Sequence, residues 1–235
     1  MRVRRVLLGC GVLSPVLYAA ADLIAGLQWE GYSFRDQTIS ELGAIGAPSA
    51  ALFSALLVPT YLLFVAFGAG VWLAAAGRRE LRAAGGLLVA FGVIALVAGP
   101  FVSMRMRGTE QGLAGALHLI EGGVEMIVLL AAMALAARAL GPRMRLYTLA
   151  TVALMLAFGG WSAIEIPRVE AGLATPWVGV KERIYWYGYQ LWFVVLALGL
   201  LRGGGVTRAR GGRTPDRSRA APRRVREPHA PAGRA

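Results

Sequence analysis

Six apolar runs, at about residues 6–27, 50–76, 83–103, 113–137, 146–164 and 184–201, constrain this chain more than any other feature. An α-helix needs about 20 such residues to cross a hydrocarbon core of about 30 Å. In lipid the backbone must satisfy its own N–H and C=O groups, which uninterrupted runs of this length do by coiling into helices. Composition agrees, because 57% of the 235 residues are hydrophobic, only 16% are charged and the mean hydropathy is +0.57. Soluble domains are far more polar. The expected fold is all-α, a polytopic membrane bundle of six transmembrane helices over residues 1–201. A secretory leader ending near Ala19-Ala20-Ala21 is the competing reading of the first run, but its length suits a span.

The net charge of +12 does not point to nucleic acid, because the basic residues sit in the connections and beyond Leu201. Nineteen of the 25 Lys and Arg fall on the side that holds both termini, counting Arg78, Arg79, Arg82, Arg138, Arg143 and Arg145. The positive-inside rule then predicts N-in/C-in topology in a cell membrane, with both termini cytoplasmic. Arginine supplies 24 of those 25 residues, and with abundant Ala and Gly this reads as a bacterial, GC-rich coding sequence. Cys10 is the only cysteine, so no intrachain disulfide or cysteine metal cage is expected, and nothing calls for a cofactor. Residues 202–235 are rich in Arg, Pro and Gly with no apolar period, which predicts a disordered cytoplasmic tail. Each Arg near the inner leaflet would attract anionic lipid by about 1 kcal/mol.

The connections at 77–82 and 138–145 are short, so spans two and three, and four and five, are expected as antiparallel neighbours. The connections at 28–49 and 165–183 carry Trp29, Tyr32, Asp36, Glu41, Glu165, Glu170, Trp177 and Glu182, more chemistry than a bare linker needs. Asp36 and Ser40 would share a face of a short helix. Thr38-x-x-Glu41 fits a capping box, and Gly43, Gly46 and Pro48 would end that helix and start the next span.

The pattern Asp-x-x-x-Ser-Glu-Leu-Gly-Ala-x-Gly-Ala-Pro over residues 36–48 resembles the bacterial domain of unknown function 998 family. His118 near the distal end of the fourth span and Gly179-Val-Lys-Glu-Arg-Ile184 before the last add to it. The resemblance covers most of residues 6–201 and implies a six-helix bundle; that family carries no settled activity.

Within the fourth run His118, Glu121 and Glu125 recur at spacings of three and four, one stripe of a helix. From a start near Leu113 they lie about 7, 12 and 18 Å along it at about 1.5 Å per residue. An ionisable group at mid-membrane costs roughly 2.5–3.5 kcal/mol on insertion scales, so something must offset it. Asp22 would face the same interior, and Arg35, Arg105, Arg107 and Arg183 are cations at that level suited to carboxylate pairing. For Arg105 and Arg107, lipid phosphate or snorkelling to the surface are the other readings. Tyr185, Trp186, Tyr187, Tyr189 and Trp192 read as an interfacial belt, with a stacking wall for a ligand as the other reading.

Three function classes follow. Binding or transport of a lipid or small polar ligand through an outward-facing polar cavity accounts for the stripe with fewest assumptions, its candidate ligand residues being Asp22, Asp36, Ser40, Glu41, Arg105, His118, Glu121, Glu125, Glu182 and Arg183. If Glu121 and Glu125 share a proton, a proton-coupled step becomes possible. A membrane-embedded hydrolase would use Asp36, Ser40, His118 and Glu121, but the only other histidine is His229 in the tail, too few ligands for a usual catalytic zinc, and no nucleophile-elbow sequence surrounds Ser40. A scaffold or assembly factor, with the stripe as interhelical glue, is the third. Gly108-x-x-x-Gly112 and Gly199-x-x-x-Gly203 would permit close helix contacts, and oligomeric state is left open.

Overall fold

The computed structural model describes residues 2–210, with side chains as far as Gly203. Among them the helices are α1 (Arg2–Gln28), α2 (Ile39–Leu42), α3 (Ala50–Ala74), α4 (Arg79–Ala98), α5 (Gly112–Leu140), α6 (Pro142–Ala163), α7 (Ile166–Glu170) and α8 (Val178–Arg210). Six are long and apolar enough to cross a membrane. The 27 residues of α1 reach about 40 Å at 1.5 Å per residue. Pro15 and Pro59 lie inside α1 and α3, a position that neighbouring helices make tolerable in lipid. Residues 211–235, and the lipid contacts expected of them, lie outside the described residues.

Three boundaries differ from those read in the sequence, one of them the end of the last helix, which runs to Arg210 and so into the stretch expected to be disordered from 202. The α5–α6 turn shrinks to Gly141 alone, whose φ of 92° suits glycine, followed by Pro142 at the first helical position. The last helix begins at Val178, six residues before the apolar run at Ile184, because the polar stretch Lys181-Glu182-Arg183 is already helical. Apolar periodicity is blind to a first turn whose charged groups are paired within the protein.

The spans form a closed ring in the order α1, α3, α4, α5, α6, α8, with α3 against both α1 and α4, and α8 against both α1 and α6. The expected hairpin pairs α3–α4 and α5–α6 are both present. Leu13, Val16, Ile127 and Leu146 stand exposed around the outside, as a surface facing lipid requires. Inside, Phe64, Phe67, Phe91, Tyr189 and Phe193 meet at tilted and edge-to-face angles with centroids 5.3–6.2 Å apart. Such geometry matches ring edges to ring faces.

In the aromatic run opening the last span, Tyr189 and Trp192 belong to the core and not to an interfacial belt, with Tyr185 and Trp186 half-buried against them. Tyr189 and Trp192 are 1% and 0% exposed, and Trp192 Nε1 donates to Thr148 Oγ1 at 2.9 Å. Positions 185, 189, 192 and 196 share one helical face, and that face looks into the ring. Close backbone contact also falls elsewhere than expected: a Cβ on Gly68 would lie 2.5 Å from Val89 N and one on Gly85 2.5 Å from Trp72 N, so α3 and α4 touch through glycine. Gly199 and Gly203 have nothing within 4 Å, and Gly108 meets the backbone of Gly172.

At the end opposite the termini the three longer connections lace together. Ile45 N donates to Met104 O at 2.8 Å, Gly108 N to Val169 O at 3.2 Å and Gly179 N to Arg35 O at 3.0 Å. They form a cap over the ring.

Candidate functional site

The cap is built around α2, a single turn that needs help at its N-terminus because its first amides have no intrahelical acceptor. Thr38 and Glu41 form the capping box read in the sequence: Glu41 N donates to Thr38 Oγ1 at 3.2 Å and Thr38 N to Glu41 Oε2 at 2.7 Å. Glu182 of α8 serves the next group, accepting the Ile39 amide on Oε2 and the Ser40 hydroxyl on Oε1 at 3.1 Å. A carboxylate at a helix N-terminus also meets the favourable end of its dipole.

Two arginines clamp the cap. Arg107 Nε donates to Glu41 Oε1 at 2.6 Å and Nη2 to Glu41 Oε2 at 2.9 Å, while Nη1 and Nη2 reach Thr175 Oγ1 at 3.2 Å. This bond to Glu41 raises the Arg107 pKa. Arg107 thus turns inward, in place of the lipid phosphate or snorkelling weighed for it. Arg183 holds Asp22 of α1 through Nε at 2.9 Å and Nη2 at 2.7 Å, and its remaining donors reach Tyr32 Oη and Phe34 O at 2.8 Å. Burial pushes the Tyr32 phenol up, with Arg183 opposing. At the rim, Arg35 Nη2 meets Asp36 Oδ2 at 2.8 Å and Trp177 N donates to Asp36 Oδ1 at 3.0 Å. The Arg35 bond, then the Trp177 amide, hold the Asp36 carboxyl below its usual range.

Beneath the cap lies a cavity of about 450 Å³ whose polar lining includes Ser40, His118, Glu121, Glu125, Glu170 and Glu182. That volume suits a small-molecule ligand. Its walls are otherwise mostly apolar or aromatic, with Tyr61, Tyr185 and Trp186 among them. His118 Nδ1 lies 3.0 Å from Val102 O. A carbonyl can only accept, so Nδ1 carries the proton and Nε2 of the neutral ring is left as an acceptor. Glu125 is 7% exposed and its Oε1 has no hydrogen-bond partner. Counted from Gly112, His118, Glu121 and Glu125 stand about 9, 14 and 20 Å along α5, a row running from the cap toward mid-helix.

The cavity also reaches the flank of the ring. Gly122 and Gly123 on α5 and Ala163 on α6 are exposed residues in its lining. A Cβ built on Gly122 or Gly123 would find nothing within 4 Å, so these lining positions border open space.

Of the residues singled out in the sequence, the structure brings Ser40, His118, Glu121, Glu125 and Glu182 to one cavity. Asp22, Glu41 and Arg183 are spent on the clamps, Asp36 on the rim pair, and Arg105 is exposed. Among the described residues Arg35, Arg107 and Arg183 therefore pair with Asp36, Glu41 and Asp22, Arg105 pairs with no carboxylate, and no cation pairs with Glu121 or Glu125. No triad contact links Asp36, Ser40 and His118: Ser40 donates to Glu182 and His118 to a backbone carbonyl. No cluster that could hold a metal occurs among the described residues. Sequence reasoning passed over Gln111, whose Oε1 accepts from Arg105 N at 2.9 Å and whose Nε2 donates to Arg105 O at 3.1 Å. It also passed over Thr175 and Tyr61; no spacing marks such residues.

Six apolar helices, a laced polar cap and an acidic chamber below it define a multi-pass integral membrane protein with a buried cavity. The profile of the family described as Protein of unknown function (DUF998) matches residues 12–199, and the chain belongs to that family. Neither the curated proteins nor the solved structures contain a match to it.

Proposed function

We propose that this protein binds, and passes across or along the membrane, a lipid or small polar ligand held in the cavity beneath the cap. The observation that carries this is Glu125: a carboxyl oxygen buried at mid-helix with no partner in the protein. Buried polar groups are nearly always hydrogen-bonded, so an acid with an unpaired oxygen among the residues that line a chamber of this size is explained by a ligand that completes it. Interhelical glue would instead place a donor against it.

The charge asymmetry of the connections supports a cell-membrane location with both termini in the cytoplasm, which puts the cap and cavity on the outer side. A ligand then arrives from the outer face or leaflet.

The test is native mass spectrometry of the full-length protein in a neutral detergent, beside His118→Ala and Glu121→Gln. Wild type is expected to retain a ligand that both variants lose at unchanged expression and melting temperature. Variants that keep the ligand, or that simply unfold, defeat the reading.

A further inference from the structure

The cavity is acidic without a counter-charge. Glu121, Glu125, Glu170 and Glu182 line it, and no lysine or arginine is among the described residues that do. Most cations of that end are committed, Arg107 to Glu41, Arg183 to Asp22, Lys181 and Arg168 to Glu165 at 3.2 and 3.5 Å and Arg35 to Asp36, while Arg105 is exposed and not among the lining residues. Glu182 is committed too, by Ile39 N and Ser40. Glu121, Glu125 and Glu170 remain, the first two one turn apart on the α5 wall.

Aromatic groups stand around Glu121 and Glu125. A Cβ on Gly99 would lie 3.8 Å from both Glu121 Oε1 and Tyr61 Cε2, so the carboxylate and the aromatic ring border the same position. Tyr185 and Trp186, 5.4 Å apart between centroids, close the wall on α8. Carboxylates among aromatic faces suit one ligand chemistry, a cation with hydrocarbon attached. An anionic head would meet like charge in low dielectric, which is strongly disfavoured.

The flank supplies the second half of the specification. Gly122 and Gly123 on α5 and Ala163 on α6 are exposed lining residues near the acids, and a Cβ on either glycine would meet nothing within 4 Å. A head seated against Glu121 and Glu125 can therefore leave its tail among the acyl chains without paying to bury it anew.

We propose that the cavity takes an amphiphile with an organic ammonium head, its N–H groups or cationic face toward Glu121 and Glu125 and its apolar tail leaving through the α5–α6 seam. This rests on the ligand-binding reading above and names the class of ligand. The head supplies the counter-charge and the donors that the protein withholds, which is how a membrane-buried acid becomes tolerable and selective at once.

The test is the thermal stability of the full-length protein in a neutral maltoside, titrated with octylammonium, octanol, octanoate and methylammonium. Octylammonium is expected to raise the melting temperature saturably, and Glu125→Gln to weaken its half-saturation roughly tenfold or more. Should Glu125→Gln not fold, Glu121→Gln makes the same comparison. Octanol, octanoate and methylammonium are expected to act only at far higher concentration. If octanol matches octylammonium, and the variants do not change either, the cavity holds amphiphiles without reading charge; the present inference falls while the ligand-binding reading stands. If methylammonium matches octylammonium, the tail has no seat at the seam and the amphiphile is overturned. If none of the four acts, both readings fail together.

Discussion

Arg183 on α8 grips Asp22 on α1 in a two-point bond, Nη2 to Oδ1 at 2.7 Å and Nε to Oδ2 at 2.9 Å, across a gap of 161 residues in sequence. The side chains are 12% and 4% exposed, so the pair is shielded from water and tied to Tyr32, Phe34 and Tyr187 besides. Removing one member leaves a buried charge uncompensated, which typically costs about 3–5 kcal/mol. Asp22→Asn is expected to lower the melting temperature in detergent sharply, and Arg183→Lys not to restore it, since an ammonium cannot reproduce the planar fork. A melting temperature for Asp22→Asn within a degree of wild type would contradict the assigned role.

Arg107 and Glu41 join two different connections of the cap. Their side chains are 22% and 1% exposed, and the contact is again bidentate. A double-mutant cycle with Arg107→Ala and Glu41→Gln should show a coupling of about 1–3 kcal/mol. Limited proteolysis of Arg107→Ala should also open the chain near Gly108, where wild type resists. Additive single effects would mean that the clamp carries no energy.

Gly179 admits no side chain. A Cβ there would sit 2.1 Å from Gln37 O and 2.6 Å from Phe34 O, both backbone atoms of the cap. Gly179→Ala must push the first connection off the start of α8, at about 1–3 kcal/mol or more for overpacking. Weakened bonds from the Gly179 and Val180 amides to Arg35 O would appear as faster hydrogen exchange there, and unchanged exchange would refute the steric account.

The Asp36 carboxyl has its pKa lowered by the Arg35 bond and by the Trp177 amide. A depressed folded pKa means that the ionised group favours the folded cap above the ordinary carboxylate range, and that this contribution is lost as pH falls through the lowered value. Protection of the Trp177 amide is expected to hold at neutral pH and fail in strong acid. Asp36→Asn should flatten that pH response, and a variant that keeps the same acid transition would assign it to another group.

Glu125 separates ligand binding from glue. Its Oε1 is buried without a partner, a state that costs about 1–3 kcal/mol in a neutral polar group and more in a charged one. Replacing it by leucine removes the polar atoms and keeps a side chain in the wall. Glu125→Leu is expected to raise the melting temperature of ligand-free protein while abolishing ligand retention, the trade expected of a functional site. A clear loss of stability would show that Glu125 holds the helices together.

Much of this was legible beforehand where the signal is local. The capping box of Thr38 and Glu41 and the two hairpins with short connections depend on neighbours in sequence, and the stripe of His118, Glu121 and Glu125 follows from helical spacing alone. Where the signal was long-range, residue type misled. Asp22, Glu41 and Arg183 have the chemistry of ligand residues yet are consumed by the clamps, and Tyr189 and Trp192 in the aromatic run of α8 have the chemistry of a belt yet fill the core.

Sequence alone decided that this chain crosses a membrane six times and that acids descend one face of the fourth long helix, because hydropathy and a period of 3.6 residues need no partner to be read. Which acids keep a free oxygen was settled only by tertiary structure. Pairing is a matter of distance in space: Arg107 reaches Glu41 across 66 residues and Arg183 reaches Asp22 across 161. Their capture by the cap is what leaves Glu121 and Glu125 facing the chamber without a cation.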